Sequence, residues 1–88
     1  MTTVLNAIIK FSNTIDMDKA MSDMKDQTTS ALGGVETTPG TVGQDNQDSS
    51  FSIHITTNRQ ATEAMHITQS AVMRLGYHSI SWKMPGAE

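Results

Sequence analysis

Apolar and polar side chains alternate in three segments of the chain, which is the pattern of β-strands with one buried face. The segments are residues 3–11, 51–57 and 78–84. The second has the strictest alternation, with Phe51, Ile53 and Ile55 on one face. The first carries apolar residues on both faces, which favours a central strand. A helical turn is the alternative interpretation there, but the β-branched and aromatic content favours a strand.

Between the first two predicted strands, apolar residues recur at steps of three and four from Met17 to Leu32, which places them on one face of an α-helix. Thr14 or Asp16 can serve as its N-cap. The pair Gly33-Gly34 is a typical helix end.

A second helix is predicted between the last two strands, because the same spacing recurs from Ala61 to Leu75. Thr57 or Asn58 is the expected N-cap. Gly76 ends the helix, and Tyr77 follows in the position from which an apolar residue often packs back.

The segment between the first helix and the second clear strand is polar and acidic over residues 36–50. Residues 35–42 form either a short strand or an edge hairpin around Pro39-Gly40, since Pro-Gly favours a turn. We expect residues 43–50 to form a mobile loop, because loops of this length in small domains are usually functional or disordered.

The predicted order is two strand–helix–strand units, which indicates an α+β fold with both helices on one face of a sheet. The simplest closed form is a ferredoxin-like βαββαβ sandwich, and residues 35–42 would supply its second strand. Without that strand, a three-stranded variant with two helices remains. The chain of 88 residues predicts one small domain over residues 1–88, with a polar acidic loop at about 36–50.

Composition narrows the possible functions. The chain has no Cys, which excludes disulfides, thiolate metal sites and cysteine nucleophiles, and its formal net charge is −3. The N-terminal segment lacks the pattern of a signal peptide, and no segment approaches a membrane span, so we expect a soluble cytoplasmic protein. A core of this size is small, so a homodimer would add stability.

Candidate chemical groups have simpler structural interpretations. Met17, Met21 and Met24 could bind copper(I), but the same helical face needs apolar core residues. Three His residues, at 54, 66 and 78, fall on different faces and lack the spacing of a zinc site. The chain has no nucleophile elbow and no phosphate-binding loop. We therefore expect no enzyme, no metal and no cofactor.

A nucleic-acid-binding module is the alternative, since ferredoxin-like domains bind RNA or single-stranded DNA on their sheets. Its candidate residues are Arg59, Arg74, Trp82 and Lys83. Each aromatic residue also has a core explanation, and the acidic net charge opposes binding to phosphates.

The leading hypothesis is a small acidic binding module that acts through protein–protein interaction. It resembles in size and charge the stand-alone inhibitors or regulators that phages use against host enzymes or defence complexes. Glu36, Asp45 and Asp48 are the candidate partner-binding residues, because they are the charges of the polar loop and no base accompanies them. A small enzyme or metal carrier is a weaker third hypothesis.

Overall fold

The computed structural model describes residues 2–83. Six elements follow one another along the chain: β1 (Thr3–Phe11), α1 (Met17–Leu32), β2 (Gly34–Pro39), β3 (Ser49–Thr57), α2 (Ala61–Leu75) and β4 (Ser79–Lys83). Met84, the last residue of the third predicted strand, lies outside the described residues. The bounds of β1 and both helices agree with the sequence pattern, whereas β3 begins at Ser49, inside the segment predicted as a loop, and β4 begins one residue later than the predicted strand.

The four strands form one sheet in the order β2-β3-β1-β4. Every neighbouring pair is antiparallel, and β1 pairs with β3 over its whole length, from Thr3 opposite Thr57 to Phe11 opposite Ser49. The prediction of an α+β, ferredoxin-like βαββαβ fold is confirmed. The four-stranded alternative is the one realised, because residues 34–39 pair with β3 as an edge strand.

The core lies between the sheet and the two helices. Alternate residues of β1 and β3 point into it and are almost completely buried, while their neighbours on the other face are more exposed. The buried apolar residues of the helices complete the core: Ala20, Met24, Leu32, Ala64, Ala71 and Val72. No helix in residues 2–83 is both long and apolar enough to cross a membrane.

The two helix starts differ. Asp16 caps α1 as predicted, since its carboxylate accepts from the Asp18 and Lys19 backbone N–H groups at 2.8 and 3.2 Å. The predicted cap of α2 is wrong. Gln60 occupies the N-cap position without a side-chain hydrogen bond, and the Thr57 hydroxyl instead accepts from the Arg59 N–H at 3.2 Å.

The connection between β2 and β3 comprises residues 40–48, since β2 ends at Pro39 and β3 begins at Ser49. No hairpin forms around Pro39-Gly40 in the described structure. The Ser49 hydroxyl accepts from the Gly43 N–H at 3.0 Å, and the Ser50 N–H donates to the Thr41 carbonyl at 2.8 Å. These bonds tie both sides of the connection to the first residues of β3.

Tyr77 joins the last loop to α1. Its side chain is buried, its hydroxyl donates to the Ala20 carbonyl at 3.1 Å, and its ring lies 5.6 Å from that of Phe11. Burial raises the pKa of Tyr77 above its usual value, and the negative charge of Asp23 raises it further. The folded protein therefore holds the phenolic proton more tightly than the unfolded chain does.

We expect this proton to make the fold sensitive to alkaline pH. Unfolded Tyr77 ionises near pH 10 and folded Tyr77 at higher pH, so stability falls as pH rises through this window. Thermal unfolding measured between neutral and alkaline pH should show this loss. In Tyr77→Phe the alkaline slope should be shallower, although the variant is less stable at neutral pH by about 1 kcal/mol. Equal slopes in the two proteins would contradict the assignment.

Candidate functional site

One face of the sheet is not covered by the helices, and we call it the open face. It carries the side chains of β1, β2, β3 and β4 that alternate with the core residues. Small hydroxyl residues dominate it, around the half-buried Ile8 at its centre. Its members are Val4, Asn6, Ile8, Lys10, Glu36, Thr38, Ser50, Ser52, His54, Thr56, Ser79, Ser81 and Lys83.

A row of polar side chains crosses the open face from edge to edge. Glu36 lies opposite His54, His54 opposite Asn6, and Asn6 opposite Lys83. His54 Nδ1 and Asn6 Oδ1 are 2.6 Å apart. Because an amide oxygen only accepts, the imidazole donates from Nδ1. The other ring nitrogen, Nε2, lies 3.5 Å from the Thr56 hydroxyl. This row is exposed and shallow, and it offers hydrogen bonds to another surface rather than an enclosed reaction site.

The three predicted acidic residues are all exposed, but they do not lie along a single edge of the sheet. Glu36 is exposed in the edge strand β2, and Asp45 and Asp48 lie in the connection that follows it. Asp48 Oδ1 is 3.3 Å from His78 Nε2, which links the connection to the start of β4. In the described part of the chain, no cation lies within ion-pair distance of Glu36 or Asp45.

The outer side of β2 presents backbone groups that can bind a further strand. Hydrogen-bonding direction alternates along a strand, and the Ser50 N–H points towards the β2 side, to Thr41. Ser52 and His54 therefore also bond to β2, through their partners Thr38 and Glu36. The N–H and C=O groups of Val35 and Thr37 consequently point outward. Pro39, which has no N–H, occupies a third outward position, where its missing donor does not weaken the sheet.

We define the acidic edge as Glu36, Asp45 and Asp48 together with the outward backbone groups of β2. The sequence predicts its carboxylates and an exposed strand edge next to them, but not which backbone groups point outward, nor the contacts of His54 and His78. Alternation alone places His54 on a polar face. Strand order is needed to place it between Glu36 and Asn6, and a single sequence gives no direct signal for strand order.

The candidate nucleic-acid residues are not brought together. Arg59 precedes α2, where it donates to the Ala31 carbonyl at 2.7 Å and lies 3.2 Å from Glu63. Arg74, in the last turn of α2, donates to Gln27 at 3.1 Å. Lys83 lies on the open face, whereas the neighbouring Trp82 points to the helix side of the same strand.

The aromatic residues also lie away from the open face. Phe11 and Phe51 are fully buried, and Tyr77 is buried against them. Trp82 is half-buried at the edge of the core. Among residues 2–83, the open face therefore offers no Phe, Tyr or Trp ring for base stacking, and the imidazole of His54 is the one ring that it exposes.

A pocket of about 240 Å³ lies at the end of the sheet where α1 meets β2. It is lined by backbone and small polar groups from Thr2, Leu32, Gly33, Gly34, Thr56, Thr57 and Asn58. None of these is a titratable group. No cluster of His, Asp or Glu suited to a metal ion occurs among the described residues.

Comparisons of the chain with protein-family models, with curated proteins and with solved structures return no match. Its function must therefore be argued from the geometry of its own surface.

Proposed function

We propose that this protein is a non-enzymatic binding module that contacts another protein through the acidic edge. One observation carries the proposal: β2 is an edge strand with outward backbone donors and acceptors, and exposed carboxylates lie on it and in the connection that follows it. Edge strands of this kind bind extended segments of other proteins by strand addition. The partner surface is basic, because Glu36 and Asp45 have no cation near them in the described structure.

The carboxylates and the backbone groups contribute differently to such binding. Exposed charges raise the rate of encounter with a basic surface and exclude acidic ones, and their effect weakens as salt increases. Backbone hydrogen bonds along β2 then hold an extended segment without demanding a particular sequence. A module of this kind acts by occupying the partner's surface, so a stand-alone inhibitor or regulator, such as those of phages, is the role we propose.

Neutralising the acidic edge should weaken binding. In the triple variant Glu36→Gln, Asp45→Asn and Asp48→Asn, the side chains keep their size and lose their charge. At up to about 1 kcal/mol for each exposed pair, we expect the Kd at low salt to rise about 10- to 100-fold. Its dependence on salt should also flatten. The partner for this titration is recovered with tagged protein from nuclease-treated host lysate, then purified.

A matched control changes the net charge equally at exposed positions on the helix layer. Asp18→Asn, Asp26→Asn and Glu63→Gln together should leave affinity within about twofold of the unmodified chain, apart from a small general effect of net charge. Equal affinities of the unmodified chain and the acidic-edge variant at low salt would contradict the proposed site. Recovery that disappears with nuclease would instead favour the nucleic-acid alternative.

A further inference from the structure

The second edge of the sheet, strand β4, has the opposite character to β2. It pairs only with β1, so its outer side is open in the described structure. Alternate residues of β1 bond to β3 and to β4, and the Lys10 carbonyl accepts from the His78 N–H at 2.9 Å on the β4 side. The partners of Ile8 and Lys10 are Ser81 and Ser79. These serines bond inward, and the backbone groups of Ile80 and Trp82 point outward.

Strand β4 is complementary to a second copy of itself. If two β4 strands pair antiparallel about Ser81, Ile80 of each copy lies opposite Trp82 of the other. Each such pair exchanges two backbone hydrogen bonds, which satisfies the outward N–H and C=O groups of both residues. Ser81 then faces Ser81 of the second copy, and Lys83 faces Ser79, so no like charges are directly opposed.

The side chains at this edge also favour a second copy. Ile80 and Trp82 lie on the helix side of β4, half-buried at the margin of the core. Pairing would bring each against its counterpart in the other copy and remove more apolar surface from water. In addition, the indole N–H of Trp82 is buried without a hydrogen-bond partner among the described residues. A buried donor without an acceptor costs free energy, so the hydrogen-bonding capacity of this edge is not fully used within the described residues.

The same pairing is disfavoured at β2. Pairing about Glu36 would place two carboxylates directly opposite each other, where like charges destabilise a sheet. Pro39 would also leave an acceptor of the second copy without a donor. Charge and proline are devices that protect edge strands from self-association. Residues 79–83 contain no proline, and their one charged residue is Lys83 at the end of the strand.

From these features we infer that the protein forms a homodimer in which the β4 strands of two copies pair antiparallel about Ser81. The two sheets become one continuous sheet of twice the width. The inference does not depend on strand addition at β2, because strand β2 of each copy lies at the far margin of this dimer.

Sedimentation equilibrium of the unmodified chain tests the association itself. We expect a mass that rises from the monomer value of 9.6 kDa towards twice that value. Because the contact is a single short strand, protein should be examined from about 1 µM to about 1 mM, the range of weak dimers. Fluorescence of Trp82, the only tryptophan, should change over the same concentrations. A mass that stays at the monomer value at every concentration would overturn the inference. This conclusion would hold even if the strand of another protein were found to bind at β4.

Charge variants at Ser81 test the register. Ser81→Lys and Ser81→Asp each oppose like charges at the two-fold axis, so the dimer Kd of either variant alone should rise about five- to tenfold. An equimolar mixture should recover the affinity of the unmodified chain, because Lys then faces Asp. Ser52→Lys is the matched control, since Ser52 flanks Ile8 from β3 and lies away from this contact. Unaltered dimers in both Ser81 variants, or no recovery in the mixture, would show that the copies associate elsewhere.

Discussion

Phe51→Ala is expected to remove a large part of the stability of the fold. The ring of Phe51 is completely buried, and its centroid lies 5.7 Å from that of Phe11 and 6.5 Å from that of Tyr77. Truncating a buried phenylalanine costs about 3–5 kcal/mol, because the transfer free energy is lost and a cavity remains. A domain of this size has a total stability of about 4–13 kcal/mol.

Urea denaturation monitored by far-ultraviolet circular dichroism measures this loss as a lower midpoint at unchanged slope. The matched control is Phe51→Leu, which keeps most of the buried volume and should cost about 1–1.5 kcal/mol. A loss below about 1 kcal/mol in Phe51→Ala would mean that Phe11 and Tyr77 close over the space, which close-packed cores rarely allow.

The second large effect is expected from Gly43→Ala in the connection between β2 and β3. Gly43 is buried, and a methyl group on it would overlap the Gln47 carbonyl oxygen and lie 2.6 Å from that of Asp48. Both obstacles are backbone atoms, so a change of rotamer cannot relieve them. The backbone of the connection must therefore shift, which would weaken or break the hydrogen bond from the Gly43 N–H to the Ser49 hydroxyl. We expect a loss of about 2–3 kcal/mol.

Because Asp45 and Asp48 belong to the same connection, Gly43→Ala should also reduce partner affinity. Gly33→Ala separates this effect from general destabilisation. Gly33 has a φ of 95° and open space around it, so alanine there should cost only about 1–2 kcal/mol of backbone strain and leave the connection unchanged. Denaturation and partner titration of both variants provide the comparison. Wild-type stability in Gly43→Ala would show that the connection readily adopts another conformation.

Local patterns in the sequence predicted the elements that bury a complete face. The alternation in β1 and β3 predicted strands correctly, because every second side chain enters the core. The spacing of three and four residues in α1 and α2 predicted helices for the same reason, since one face of each helix must be buried. In β2 only Val35 is buried, so alternation there is weak. Its strand conformation comes from pairing with β3, which is a contact between distant parts of the chain.

The N-cap of α2 shows how tertiary position overrides local preference. Thr57 has a suitable side chain, but it is the last residue of β3 and lies buried opposite Thr3. Its hydroxyl accepts a hydrogen bond from the Arg59 N–H, which stabilises the turn that follows β3. The helix then begins at Ala61, with Gln60 as an unassisted cap. Capping preferences favoured Thr57 and Asn58, but the path of the chain out of β3 places the cap at Gln60, which was not a candidate.

The candidate site was predictable in chemical type but not in arrangement. Composition located the carboxylates of Glu36, Asp45 and Asp48 in one polar segment. The sequence did not show that Asp48 would have a basic partner. His78 lies 3.3 Å from Asp48 because β4 starts beside that connection. The outward direction of the β2 backbone depends likewise on register, which one sequence does not reveal.

The order of the strands in space has a consequence for how the protein folds during synthesis. β1 and β2, which precede β3 along the chain, are not neighbours, since β3 lies between them. The nascent chain up to Pro39 therefore contains no pair of adjacent strands and no closed layer against which α1 could bury its apolar face. Assembly must wait for β3, so most of the chain emerges before any of the sheet can form. Formation of the sheet therefore depends on contacts between segments that are distant in sequence, and we expect a chain cut within β3 to behave as an unfolded polypeptide.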